Sequence, residues 1–162
     1  MQAALPPKPP AFERRILGGE SASRVLRDWC AARGLPALTS RRVRSAAKSA
    51  PEPVLVALKA QPGEVVRYRR VTLACGATVL SQADNWYRPS SLTAEMNRRL
   101  ETTDTPFGIV ARPLAFTRHT VFSQTSPGRK CRIAALLVTA RGAPFSFVVE
   151  DYRRGLCSAR SP

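Results

Sequence analysis

The chain has 162 residues, enough for one domain with a hydrophobic core, and its 44% apolar content excludes a disordered chain. Lys and Arg total 26 against 11 Asp and Glu, which gives a net charge of +15. Partners of negative charge are therefore expected, namely nucleic acid, acidic lipid or small carboxylates; drift towards an Arg-rich surface is the alternative. Nucleic acid is not favoured, because the arginines are dispersed along the chain.

Four cysteines are present, and no two of them have the spacing of metal ligands: Cys30, Cys75, Cys131 and Cys157. His119 is the single histidine, so we expect no zinc site. The start of the sequence, "MQAALPPKPPAFERR", lacks the apolar segment of a secretory signal. We therefore expect a cytoplasmic protein with reduced, mostly buried thiols. No apolar run approaches the length of a membrane span, and no membrane partner is expected.

The first third of the chain predicts little regular structure. Residues 1–19 carry four prolines and predict a flexible or extended arm, with a single domain over residues 20–157. Apolar residues at helical spacing in "ESASRVLRDWCAARG" predict the first helix. The basic segment 38–53, "LTSRRVRSAAKSAPEP", predicts a solvated linker or, alternatively, a phosphate contact. "PVLVALKAQPGE" then predicts a short helix or turn.

From residue 65 onwards the pattern is mainly that of β-structure. "VVRYRRVTL" (65–73) and "VLSQADNWY" (79–87) predict two strands joined by a Gly-containing turn, and 91–101 predicts a helix. One or two strands are expected in "IVARPLAFTRHTVFSQ", a central strand over 131–140, and a returning strand in "FSFVVEDYRR". The chain is therefore predicted to be α+β, with helices packed on one face of an antiparallel sheet.

Two charged residues stand out on these strands. Side-chain alternation places Arg67 and Arg69 on the face of Val71 and Leu73, which suggests the core side of the sheet. A buried Arg needs an anionic partner, and Arg69 is the best candidate to hold a carboxylate; a surface Arg on an open face is the alternative. Glu150, at the end of the last apolar strand, either pairs with Arg69, contacts a ligand, or forms a rim salt bridge to Arg153 or Arg154.

Three stretches of sequence, within residues 50–152, resemble the chorismate lyase superfamily: "PGEVVRYRRVTLACGATVLSQADNWYRP", "TDTPFG" and "GAPFSFVVE". That superfamily includes the chorismate–pyruvate lyases and the effector-binding domains of GntR-type transcription regulators. The string "ADNWYRPSSLTAEMNRRLETTDTPFG" is most similar to an uncharacterised bacterial branch of it.

The resemblance implies roles for particular residues. Arg69 would clamp a ring carboxylate and Glu150 would contact the far end of the ring and accept a proton; these are the two candidate catalytic residues. The candidate ligand-binding residues are Thr105, Pro106, Phe107, Gly108, Arg67 and Trp86. No metal or organic cofactor is implied. Asp104 is expected to fix the turn through backbone N–H groups and to point away from the ligand.

The chain departs from the lyase pattern in two places. Arg70 stands where the lyases tend to have Glu. The span from Gly142 to Glu150 is one residue longer than in the lyases. The extra residue would turn the Glu150 side chain to the other face of the sheet unless a bulge absorbs it. The resemblance implies cofactor-free elimination of pyruvate from chorismate, or a similar anionic cyclic acid, to give 4-hydroxybenzoate. The alternatives are non-catalytic binding of a small aromatic carboxylate and, less favoured, nucleic-acid binding.

Overall fold

A computed structural model describes residues 11–125 and 130–157. Within them, six antiparallel strands form one sheet in the order β1-β2-β3-β6-β5-β4. Their bounds are β1 Leu38–Arg42, β2 Arg67–Cys75, β3 Thr78–Tyr87, β4 Thr117–Gln124, β5 Cys131–Val138 and β6 Pro144–Tyr152. The α+β class and the antiparallel sheet predicted from the sequence are confirmed.

The helices lie mainly on one face of this sheet. They are α1 Ala11–Leu17, α2 Ala22–Ala31, α3 Glu52–Ala57, α4 Ala94–Thr102 and α5 Phe107–Val110, with single helical turns at Pro89–Ser91 and Arg112–Leu114. Apolar residues of α1 and α2 pack on one half of the covered face, and those of α4 and α5 pack on the other half. The short α3 packs instead on the opposite face, against Trp86.

The hairpin of β2 and β3 sets which side chains face the helices. Arg69 lies opposite Asn85 in the register, and the burial of alternate residues along β2 confirms the predicted alternation. The turn between the strands requires glycine at position 76, since its φ is +59° and a Cβ there would lie 3.0 Å from Pro36 Cγ.

A shift in the strand register accounts for the additional residue before Glu150. Leu137 lies opposite Ser146 whereas Val138 lies opposite Pro144, so Phe145 is an extra residue on β6. Such a bulge shifts the side-chain alternation of the residues that follow it on β6 by one position. Glu150 therefore points to the helix-covered face of the sheet.

Two elements were not predicted. The proposed arm is wrong from Ala11 onwards, because α1 buries Phe12 and Ile16 in the core and the ring of Phe12 lies 5.0 Å from that of Tyr152. Residues 1–10 of the arm lie outside the described residues. The segment predicted as a linker contains β1, an edge strand that pairs with β2 although its sequence, "LTSRR", is polar and basic.

The prediction of reduced thiols is also wrong. Cys30 of α2 is joined to Cys75 at the end of β2, and Cys131 of β5 is joined to Cys157. All four sulfurs belong to one apolar cluster under α1 and α2, where the strands and α2 bring together cysteines that are 45 and 26 residues apart in sequence. Among the described helices, none is long and apolar enough to cross a membrane.

Candidate ligand-binding site

A cavity of about 500 Å³ lies between the sheet and the helices that cover it. Its floor is formed by side chains of β2 to β6, including Arg69, Asn85 and Glu150. One cover is the segment from Gly19 to Arg27, mostly in α2, and the other is the segment from Pro106 to Phe116, which contains α5. A volume of this size is typical of sites for small organic ligands.

Arg69 is the most deeply buried charge in this cavity. Its side chain is 2% exposed and donates from Nε to Leu100 O at 3.2 Å, and from Nη2 to Thr103 O at 3.1 Å and Thr105 O at 2.9 Å. Within the described part of the chain it forms no ion pair, and its Nη1 is buried without a hydrogen-bond partner. Burial, followed by the charge of Arg42, lowers the pKa of Arg69 to about 10, so the group is still cationic at neutral pH.

The segment "TTDTPFG", residues 102–108, provides two of the three carbonyl groups that hold Arg69, and Leu100 of α4 provides the third. Helix α4 ends at Thr102, where the Thr103 hydroxyl donates to Arg99 O at 2.6 Å, and α5 begins after Pro106. Pro106, Phe107 and Gly108 line the cavity, whereas Thr105 contributes its carbonyl to Arg69 without lining the cavity. The backbone of Gly108 is not in the left-handed region, so its conformation does not itself require glycine.

Asp104 fixes this segment from the side away from the cavity. Its Oδ1 accepts a hydrogen bond from the backbone N–H of Arg42 at 3.1 Å, and Arg44 lies 3.8 Å from the same oxygen. Asp104 therefore joins the turn to the end of β1 rather than to its own N–H groups, which corrects the prediction. Its side chain does not line the cavity, which agrees with the expectation that Asp104 points away from the ligand.

Glu150 lines the same cavity but pairs with Arg118 of β4 instead of Arg69. Arg118 donates to both carboxylate oxygens, at 3.0 and 2.5 Å, and the Tyr152 hydroxyl donates at 2.8 Å. The side chains of Arg118 and Glu150 are 5% and 7% exposed. Burial opposes the charge on Arg118, but the adjacent carboxylate outweighs it and raises the pKa of Arg118 above its ordinary value. The pair is neutral as a whole, and Arg118 Nε has no partner among the described residues.

Two residues predicted to bind the ligand lie elsewhere. Arg67 is half-exposed at the start of β2 and pairs with Glu101. Trp86 lies on the opposite face of the sheet, where it packs on α3 and donates from Nε1 to Lys48 O at 3.1 Å. The alternation of β3 instead brings Asn85 to the cavity, and its Oδ1 accepts a hydrogen bond from Ser146 Oγ at 2.6 Å. The amide N–H groups of Asn85 are then the donors it can offer to a ligand.

Sequence reasoning missed the second group of arginines around the cavity. Arg24 and Arg27 of α2 and Arg112 after α5 line it, and all three are exposed. With Arg69 and Arg118, five arginines and one acid surround the cavity. No group of three or more His, Cys, Asp or Glu side chains in residues 11–125 and 130–157 is placed to hold a metal ion.

Comparison with known proteins identifies relatives of this chain. No family model matches it. The chain is 33% identical over 175 residues to the uncharacterised protein y4mC of Sinorhizobium fredii, an alignment that covers 91% of this chain and 74% of that protein. This chain belongs to the same family as y4mC.

Solved structures show which fold this family has. PhnF from Mycobacterium smegmatis matches with a TM-score of 0.60 at 13% identity, and the match covers 90% of this chain and 68% of PhnF. The separately solved effector domain of PhnF matches with a TM-score of 0.57 at 12% identity, covering 85% of this chain and 89% of that domain. A GntR-family regulator from Enterococcus faecalis gives a TM-score of 0.55 at 10% identity, covering 76% and 99% of the two chains.

YydK from Bacillus subtilis, a possible transcriptional regulator, gives a TM-score of 0.51 at 14% identity. The match covers 77% of this chain and 62% of YydK. The chain thus has the chorismate lyase-like fold of GntR effector domains, as the sequence resemblance predicted.

Proposed function

We propose that the protein binds a small anionic ligand, best matched by a carboxylate, in the cavity between the sheet and the helices. The observation that carries this proposal is Arg69: a buried cation that borders the cavity, forms no ion pair among the described residues and has an unpartnered Nη1. Removing a charge from water without a counter-charge costs several kcal/mol, on the order of 3–5 kcal/mol when a partner is missing. A bound anion would offset that cost.

The chemistry of arginine favours a carboxylate as the anion. Nε and both N–H groups of Nη2 are taken by backbone carbonyls, so the two N–H groups of Nη1 remain to donate charge-assisted hydrogen bonds to a carboxylate. Three backbone carbonyls already fix the side chain, so little conformational entropy is lost when the ligand binds. Because these carbonyls are neutral acceptors, they orient Arg69 and leave its charge available.

The remaining walls indicate the body of the ligand. Apolar side chains from both the sheet and the covers border the cavity: Val71, Leu73, Phe107, Phe116, Leu137 and Val148. Such walls suit an aromatic or cyclic hydrocarbon body. Solved structures with this fold are described as transcriptional regulators and effector domains, which supports binding as the role of the cavity.

Elimination of pyruvate from chorismate is the second candidate function. It would need Glu150 as a proton acceptor, but both oxygens of Glu150 already accept from Arg118 and one also accepts from Tyr152. A proton acceptor must lie within hydrogen-bond reach of the proton it takes, and these donors already occupy both Glu150 oxygens. This contact is the reason we place binding ahead of the lyase activity.

A thermal-shift comparison of carboxylates with their amides tests the proposal. Benzoate, 4-hydroxybenzoate and cyclohexanecarboxylate are expected to raise Tm by roughly 5 °C at about 100 times Kd, whereas the matching primary amides leave it unchanged. Equal shifts with acid and amide, or no shift with any acid, would contradict carboxylate binding. Chorismate is expected to stabilise the protein without release of 4-hydroxybenzoate; appearance of that product would favour the lyase instead.

A further inference from the structure

We propose that the ligand carries a second anionic group, which Arg24, Arg27 and Arg112 bind at the mouth of the cavity. This inference rests on the proposed function, because it takes one carboxylate of the ligand to lie at Arg69. It adds a second subsite and defines the ligand class: a molecule with an apolar body and two anionic groups.

The three mouth arginines come from the two segments that cover the cavity. Arg24 and Arg27 are three residues apart on α2, so they lie on one side of that helix, and Arg112 follows α5 in the other cover. Since all three border the same cavity as Arg69, a ligand held at Arg69 that extends outwards approaches them.

In residues 11–125 and 130–157 none of these arginines has an acid within ion-pair distance, although Glu20 interacts with Arg24 at longer range. The two acids nearest in sequence to Arg24 and Arg27 are Glu20 and Asp28, and both accept hydrogen bonds from Arg15. Arg24, Arg27 and Arg112 form no ion pair in the part of the chain that the structure describes. Glu150, the acid that lines the cavity, is occupied by Arg118.

The uncompensated positive charge around the cavity therefore favours a ligand with more than one anionic group. A monocarboxylate at Arg69 leaves three exposed cations that line the same cavity, and like charges in one cleft repel. A second carboxylate or a phosphate at the mouth would offset that repulsion. The apolar side chains that line the same cavity, such as Leu73 and Phe116, set the character of the group that joins the two anionic ends.

Calorimetric titration with paired ligands tests this inference. The probes are benzoates that carry a second carboxylate at the para position, attached directly or through one or two methylenes, each compared with the ligand in which that carboxylate is a primary amide. In the wild type we expect the best diacid to bind about 25-fold more tightly than its amide, the combined effect of three partly exposed charge contacts.

Single substitutions then locate the second subsite. Arg24→Gln, Arg27→Gln and Arg112→Gln are each expected to lower the diacid-to-amide ratio by about threefold while changing benzoate affinity by less than about twofold. Arg141→Gln removes the same charge from an exposed loop that does not line the cavity, and the ratio should stay at its wild-type value.

The outcomes separate this inference from the proposed function. If benzoate binds and no diacid exceeds its amide, the second subsite is wrong and carboxylate binding at Arg69 still holds. If Arg141→Gln lowers the ratio as much as the mouth variants, the effect is general charge attraction and the subsite is again wrong. If neither benzoate nor any diacid binds, the proposed function fails, and the second subsite fails with it.

Discussion

Two buried arginines on the cavity floor are stabilised in different ways. Arg69 donates to three neutral backbone carbonyls, whereas Arg118 forms a bidentate pair with Glu150. The first arrangement fixes the side chain and leaves its charge uncompensated; the second cancels the charge. The two residues therefore have different roles, with Arg69 as the anchor for an anion and the Arg118–Glu150 pair as a neutral polar wall.

The Arg118–Glu150 pair gives a prediction about stability. Glu150→Gln keeps the side-chain shape but leaves Arg118 buried without a counter-charge, so we expect the free energy of unfolding to fall by about 3–5 kcal/mol. Urea unfolding at neutral pH measures this change.

A neighbouring ion pair supplies the control. Asp151→Asn breaks a half-exposed pair with Arg132 and should cost about 1 kcal/mol or less. Replacing both buried partners, as Arg118→Met with Glu150→Leu, should recover most of the loss. A similar cost for Glu150→Gln and Asp151→Asn would show that the buried charge is not what matters.

At the scale of elements, the two unpredicted segments both support the cavity. Strand β1 holds the turn after α4 through the contact between Arg42 N and Asp104, and that turn supplies the carbonyls for Arg69. Helix α1 packs beside α2, and α2 forms one cover of the cavity. Neither segment has a strong local sequence pattern. Contacts with distant parts of the chain fix their positions instead, so they could not be predicted locally.

The two disulfides are expected to differ in their effect on ligand binding. Replacing Cys30 and Cys75 by Ala removes the link between α2 and β2 and should lower stability by about 2–4 kcal/mol. Because α2 carries Arg24 and Arg27, the affinity for the best-bound carboxylate should fall as well. Denaturant unfolding and calorimetry measure the two effects.

The second disulfide is the matched control. Replacing Cys131 and Cys157 by Ala removes a link between β5 and the segment after β6, and neither residue lines the cavity. Stability should again fall, while carboxylate affinity stays within about twofold after correction for any unfolded fraction. Equal loss of affinity in the two double variants would show that anchoring α2 has no specific role in binding.

For the whole molecule, the sequence predicted what depends on local pattern. Alternation along β2 correctly predicted that Arg69 lies on the core face. The resemblance grouped Glu150 with residues 106–108, and the structure places them around one cavity. The partner of Glu150 could not be predicted, because Arg118 is 32 residues away on β4, beyond β5 in the sheet order. The disulfides were missed because reduced thiols were expected from the lack of a visible secretory signal, and their pairing depends on how α2 and the strands pack.

The charge of the whole chain is explained only in part by the site. Four of the arginines around the cavity form no ion pair among the described residues, and they contribute to the excess of 26 basic over 11 acidic residues. Nucleic-acid binding stays a prediction that we do not favour. A cytoplasmic location also stays a prediction, and the two disulfides count against it, since disulfides persist mainly in oxidising compartments.

Calorimetric titration of Arg69 variants with the best-bound carboxylate tests the central claim most directly. Arg69→Gln should weaken binding by roughly 10- to 100-fold, the value of a charged hydrogen bond, and Arg69→Lys, which keeps the charge, should weaken it less. Arg67→Gln, on the same strand but outside the cavity, should bind like the wild type, with thermal unfolding confirming that each variant is folded. Wild-type affinity in a folded Arg69→Gln variant would contradict the account.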